Sequence, residues 1–382
     1  MNHRVPKEVF ISCDGERPDS YQVDTMYFLT ALALFSGGLI PLLVAAKKIR
    51  LSLGPFFLGW LSWAFAASPR IVLLSALWAI FPFLSKPDTV PYMLTVTSLE
   101  LLEVVSAYLF LSRHPHLKNL DANPRLVFAL GFGVGEAFTL AIATFLPADV
   151  TPSLSVLMTL VERVSLAVIQ FGWVALIANH AATLATINLS LGVFFRVLSS
   201  IITLTVPLIL FFYEVGLEAS LLYFEGVLAA YAMVVLLVSL LLLRRIAYSG
   251  SPSAALDSRH LLAGAIAFLG VGFAVATAIT LMHLTSIMSL VTRLLFFVIA
   301  TMILIELFGW ATSEVALSEI ALGAFLGILV ENSFRLGFVR EAVLTQLTIQ
   351  SIMLHPALNF LAVLAGMALW TSARRQKHLL SQ

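Results

Sequence analysis

Long apolar runs separated by short polar breaks dominate this chain, each close to the ~20 residues that a helix needs to cross a bilayer. They fall near residues 26–46, 55–84, 92–112, 125–146, 153–178, 188–212, 219–243, 261–283, 287–309, 317–337 and 350–371. The pattern predicts an all-α fold, a polytopic transmembrane helix bundle of about eleven helices. Ser68-Pro69-Arg70 stands near the middle of the second run, where proline predicts a kink or a break. The tenth run is the least regular, because Glu319, Glu331 and Arg335 interrupt it.

Lys and Arg gather in the first connection (Lys47, Lys48, Arg50), the third (Arg113, Lys118, Arg125), the seventh (Arg244, Arg245, Arg259) and the tail (Arg374, Arg375, Lys377). With eleven helices all four lie on one side, which predicts an outside N-terminus and a cytoplasmic C-terminus in the cell membrane. Arg4, Lys7 and Arg17 in the N-terminal tail run against that orientation. The polar residues 1–25 do not read as a cleavable signal peptide, so the first run serves as the insertion signal. A small-residue stretch, 248–260, reads as a linker between a helix bundle at 26–247 and additional helices at 261–371; a basic tail, 372–382, ends the chain.

Composition narrows the class. Of 382 residues, 60% are hydrophobic and 11% charged, against about 25% charged in a soluble domain. The bilayer is therefore the first partner expected. A net charge of +1 supplies no excess of basic residues to neutralise phosphates, which excludes nucleic acid as a partner. One cysteine, Cys13, excludes an internal disulfide and a Cys-rich metal site. No Walker loop, dinucleotide fingerprint or haem-attachment sequence is present.

Against that apolar background, ionisable residues inside the runs carry most of the functional information. Glu100, Glu103, Glu136, Glu162, Arg163, Arg196, Glu225, Arg293, Glu306, Glu331, Arg335 and Arg70 all lie there. A charge at the bilayer centre costs about 2.5–3.5 kcal/mol on insertion scales, so such residues pair, line a wet cavity or work. Glu100 and Glu103 are three apart and share a helix face. They form either a coupled acid–base pair or the partners of Arg70 and Arg196. Gly131 and Gly135 form a GxxxG pair, directly followed by Glu136, which places this carboxylate where helices touch. Glu162 and Arg163 diverge by about 100° on one helix; Arg163 is expected to pair with Glu136 or Glu103. Gln170 lies seven positions beyond Arg163 on nearly the same face. In the C-terminal part, Glu331 follows a second GxxxG pair (Gly323, Gly327), and His355 and Asn359 lie one turn apart. Glu331, His355 and Asn359 are candidates to hold a divalent metal or orient a water. The remaining histidines are expected to be solvated at helix ends.

The segment GGLIPLLVAAKKIRLSLGPFFLGWLSW, the Glu-bearing third run, GFGVGEAF and ERVSLAVIQ together resemble the YhfC-type intramembrane protease family. That family is similar to the larger group of membrane-embedded CAAX-protease and bacteriocin-processing enzymes. The resemblance covers roughly residues 30–210 and implies a site that activates water for peptide-bond hydrolysis, with or without a metal. It marks Glu103, Glu136, Glu162 and Arg163 as the catalytic positions. Family members carry a Glu pair followed by Arg, a His in the Gly-rich step and a His seven residues after the ER pair. Here Leu102 precedes Glu103 and no Arg follows. Phe132 and Gln170 stand where the two histidines would be, and neither can titrate. VENSFR and HPALN match parts of the EExxxR and HxxxN signatures of the larger group.

Three functions follow. The first is a diverged or inactive protease homologue that binds a membrane protein or peptide. The second is an active glutamate-dependent intramembrane protease, and the third is a proton-coupled secondary transporter. The departures fall on the chemistry rather than the scaffold, which favours the first.

Overall fold

Apolar runs this long must satisfy their backbone groups internally once in lipid, and helices do so without help from neighbours. A computed structural model bears out the all-α expectation. It describes residues 20–47, 49–86, 89–114, 117, 122–143, 154–213, 217–243, 258–281, 286–307, 314–338 and 349–380. Side chains are described at Leu29 and from Leu32 onward in the first helix, as far as Asn332 in the tenth, and from Leu354 in the last. Most of the polar tail with Cys13, most of the linker and the side chain of Arg335 lie outside the described residues.

Among those residues are eleven α-helices. They are α1 (Ser20–Ala46), α2 (Leu53–Ile80), α3 (Val90–Arg113), α4 (Ala122–Ala143), α5 (Leu154–Thr183) and α6 (Thr186–Phe212). The chain continues with α7 (Leu217–Leu243), α8 (Ser258–Leu281), α9 (Ser286–Leu307), α10 (Glu314–Phe338) and α11 (Ile349–Leu380). Among the described residues, nine are long and apolar enough to cross a membrane, namely all but α1 and α10. The protein is a multi-pass integral membrane protein, with the lipid bilayer as its surroundings. No strand occurs among the described residues.

Local chemistry sets several helix ends. Thr89 caps α3 by accepting a hydrogen bond from the Tyr92 backbone N–H, and Pro91 sits in the first turn where no amide partner is lost. Asn123 at the start of α4 accepts from the Arg50 N–H at 3.0 Å and donates to the Arg50 carbonyl at 2.7 Å. That exchange ties the α1–α2 connection to α4. Helix α2 runs through Ser68-Pro69-Arg70 without a break. Tertiary packing around it holds the helix through the one hydrogen bond that proline removes.

Helix α4 is the hub of the N-terminal bundle, packed by α1, α2 and α5. Its glycines make this geometry available. A Cβ at Gly131 would collide with the Phe56 carbonyl of α2, and one at Gly59 with the Phe128 carbonyl of α4, so the two backbones touch. Gly133 faces the other way, where a Cβ would lie 2.7 Å from the Ala167 carbonyl of α5. Polar bonds fasten the contacts: Trp60 Nε1 donates to Thr139 Oγ1 at 2.9 Å, and Ser106 Oγ to the Ser62 carbonyl at 3.0 Å. Around this hub α3 lies on α2, α6 on α3 and α5, and α7 on α5.

Helices α8–α11 pack among themselves and dock on the first bundle through α11 against α2 and through α10 against α2 and α4. The second GxxxG pair acts as the sequence predicts: Gly323 and Gly327 admit the α8 carbonyls of Leu261 and Ala265.

Candidate functional site

The close approach of α2, α4 and α5 brings the intramembrane charges together in two adjoining networks. In the first, Glu103 of α3 is 1% exposed and both its oxygens are engaged. Arg70 of α2 donates to Oε1, and Arg196 of α6 approaches Oε2 through Nε at 3.0 Å and Nη2 at 2.9 Å. Glu100, one turn earlier, forms ion pairs with Arg70 at 3.7 Å and Arg196 at 3.2 Å. Arg196 Nη1 also donates to Ser199 Oγ at 3.0 Å. Of the two sequence-based alternatives for Glu100 and Glu103, pairing with arginine is the one adopted, and both arginines take part.

In the second network, Glu136 of α4 accepts from Arg163 Nη1 at 2.9 Å and from Gln170 Nε2 at 2.7 Å. Arg163 Nη2 donates to Glu162 Oε1 at 2.8 Å. Glu162 and Arg163 point apart from the helix axis, yet both side chains are long enough to meet. Glu225 of α7 is buried, leaves Oε2 without a partner, and lies within electrostatic reach of Glu162 and Arg163.

A partly open cavity of about 220 Å³ joins the networks. Arg70 and Glu100 line one wall, Glu136 and Arg163 another, and Trp63, Ala67, Ile71, Leu74, Val96, Leu99 and Leu140 complete it. All four residues marked as catalytic from the sequence thus lie in or beside one polar centre. Glu136 and Arg163 face the cavity, Glu162 stands behind Arg163, and Glu103 sits beneath Arg70. The position of Phe132 is a core position: its ring is fully buried and packs edge-on against Trp173, with centroids 5.2 Å apart. Gln170, by contrast, touches Glu136 directly.

The C-terminal candidates converge only in part. Arg293 of α9 holds Glu331 of α10 through Nη2, at 3.0 and 2.9 Å from its two oxygens, and donates from Nε to Asn359 Oδ1 at 3.1 Å. Glu331 is 0% exposed, whereas His355 is exposed one turn before Asn359 on α11. A guanidinium therefore stands between Glu331 and Asn359. Among the described residues no three His, Cys, Asp or Glu side chains gather as a metal would require.

Several contributors have no signal in the sequence beyond their identity. Trp63 and Ala67 wall the cavity only because α2 presents that face to α3 and α4. Two histidines depart from the solvated default. His180 is buried with Nδ1 3.1 Å from the Ala185 carbonyl, and His260 Nδ1 lies 2.9 Å from Glu319 Oε2.

Fold and site define a multi-pass integral membrane protein with a charged cavity inside its N-terminal bundle. No family model, curated protein or solved structure matches this chain.

Proposed function

We propose that the N-terminal bundle is a diverged YhfC-type scaffold that binds a membrane peptide or the spanning segment of a partner protein in its charged cavity without cleaving it. The observation that carries this reading is the engagement of both oxygens of each leading carboxylate. Glu103 is clamped by Arg70 and Arg196, and Glu136 by Arg163 and Gln170. A general base must offer a free lone pair to the water it activates. Here each oxygen already accepts from a guanidinium or amide donor, which commits these carboxylates to pairing between helices. Phe132 and Gln170, at the positions where the resemblance implies histidines, supply no imidazole to the centre. What remains is a polar, lined recess within helices, suited to recognition. The protein is oriented with its N-terminus outside and its C-terminus in the cytoplasm of a cell whose plasma membrane holds it, following the Lys and Arg distribution.

The experiment places purified protein in lipid nanodiscs with a set of dye-labelled single-span peptides. Binding is read by fluorescence anisotropy and cleavage by mass spectrometry. Peptides are expected to bind and remain intact, and Ala67→Trp, which fills the cavity, is expected to weaken binding at least about ten-fold. Cleavage by the native protein that disappears in Glu136→Gln and Glu103→Gln establishes the active-protease alternative instead.

A further inference from the structure

The helix faces that line the cavity continue past it toward the connection between α2 and α3. Arg70 and Glu100 each stand ten residues from the helix ends that this connection joins, about 15 Å along the axes. On α2 the lining residues Ala67, Ile71 and Leu74 share a face, and the next position on it, one turn on, is Trp78. On α3 Glu100 and Val96 share a face, and one turn beyond Val96 toward the same end stands Tyr92. The two rings stack on each other, 16° from parallel with centroids 5.9 Å apart. Glu100 lies within electrostatic reach of Tyr92. Aromatic side chains near helix ends commonly anchor a protein at the headgroups, and a tryptophan doing so turns its N–H to water. Trp78 does the reverse: its Nε1 is buried and has no partner among the described residues. Phe81 and Phe83, in the connection itself, are the exposed rings at this end.

We infer that Trp78 and Tyr92 form an aromatic gate that separates the charged cavity from water at the α2–α3 end of the bundle. Along both helices, the route from the connection to Arg70 and Glu100 passes these two rings. No hydrogen bond fastens the indole, so the gate opens at the cost of ring contact alone. Any opening along the sides of the helices meets hydrocarbon in a bilayer, which a charged solute does not cross. From the α2–α3 end, such a solute therefore reaches the cavity only when the rings separate. The inference goes beyond the peptide-binding reading and is independent of it, because it concerns how the cavity is reached and not what it holds.

In a Cys13→Ser background, Ala67→Cys places a thiol on the cavity wall. Its reaction with a charged, impermeant methanethiosulfonate is timed on the full chain in nanodiscs, where both faces meet the reagent. Ala67→Cys is expected to react at least about ten-fold more slowly than Ser85→Cys, which lies exposed in the connection. Trp78→Ala and Tyr92→Ala are each expected to speed the Ala67→Cys reaction about ten-fold, and Trp78→Phe to keep it slow. Ala107→Cys, fully buried on α3 and not part of the cavity wall, is expected to stay unreactive in every variant. Reaction of Ala67→Cys as fast as Ser85→Cys with both rings in place overturns the gate, since water then reaches the cavity past them. An unchanged rate in the alanine variants overturns it too, as does a parallel rise at Ala107→Cys, which marks general loosening. Either alanine variant decides the matter where the other does not fold, and size-exclusion chromatography identifies those that do.

Discussion

Arg293→Met tests whether the buried charges of the C-terminal helices are structural. The substitution keeps most of the side-chain volume but leaves Glu331, fully buried, without the guanidinium that holds both its oxygens. It also removes the donor to Asn359 Oδ1 on α11, whose Nδ2 already lacks a partner. Breaking a buried ion pair by deleting one member costs about 3–5 kcal/mol in soluble proteins. Polar contacts between membrane helices average nearer 0.6 kcal/mol, because the unfolded chain finds other partners. Burial decides between these values. The Glu331 side chain fills the space facing Gly272, where an added Cβ would lie 2.6 Å from its Cγ, so water has no room to replace the arginine. The larger figure applies, and Arg293→Met should destabilise the protein by at least about 3 kcal/mol, more than a hundred-fold in the folding equilibrium. Arg293→Met with Glu331→Leu should recover most of that loss, since a buried pair exchanged for apolar side chains is often neutral. Steric-trap unfolding in bicelles measures both variants and the coupling between them. A single-variant loss below about 1 kcal/mol with an additive double variant would refute the reasoning. A metal centre at Glu331, His355 and Asn359 makes the opposite forecast: removing the competing guanidinium then raises stability when a divalent ion is added.

Three further outcomes follow. Gly131→Leu should prevent accumulation of folded protein, because its side chain meets the Phe56 backbone, which cannot move aside as a flexible side chain does; Gly226→Leu, with open space around its Cβ position, should be tolerated, and yield after size-exclusion chromatography compares them. Gln170→Leu removes one of two donors to Glu136 and should cost about 1–3 kcal/mol in the same unfolding assay, with Gln170→His recovering part of it. In a Cys13→Ser background, Arg50→Cys and Ser85→Cys should react with an impermeant thiol reagent from opposite faces, since α2 spans the bilayer between them, and Arg50→Cys should be protected in intact cells; labelling of Arg50→Cys from outside reverses the orientation.

The helix order was legible because apolar run length directly reports what a bilayer demands, and no competing signal exists over a run such as 219–243. Glycine spacing was nearly as informative, since Gly131, Gly135, Gly323 and Gly327 all serve helix contacts. Pairing was legible only in part. Arg163 with Glu136 could be named because both sit on motif-like positions, and Arg70 and Arg196 followed as the remaining cations. The partner of Glu331 was not legible. Arg335, four residues on, is the local candidate, whereas Arg293, thirty-eight residues earlier, reaches it through the packing of α9 and α10 around α11. The cavity was invisible for the same reason, because Trp63 and Leu99 become its walls only when α2 and α3 are laid side by side. His260 looked solvated because it sits in the first turn of α8, yet the α8–α10 contact brings Glu319 to it.

Helix α4 carries a consequence for how the protein is made. Its spanning window is 94% enclosed by other helices, and at a mean hydropathy of 1.2 it ties with none of the strongly apolar spans, which reach 2.3. Among the nine candidate spans of the described residues, the segment at the centre of the molecule is thus the least apolar. Its glycines, which admit α2 and α5 so closely, leave bare backbone until those neighbours arrive. Helix α2 is already synthesised by then, but α5 is not. The packing of α4 is therefore completed only by a helix made after it.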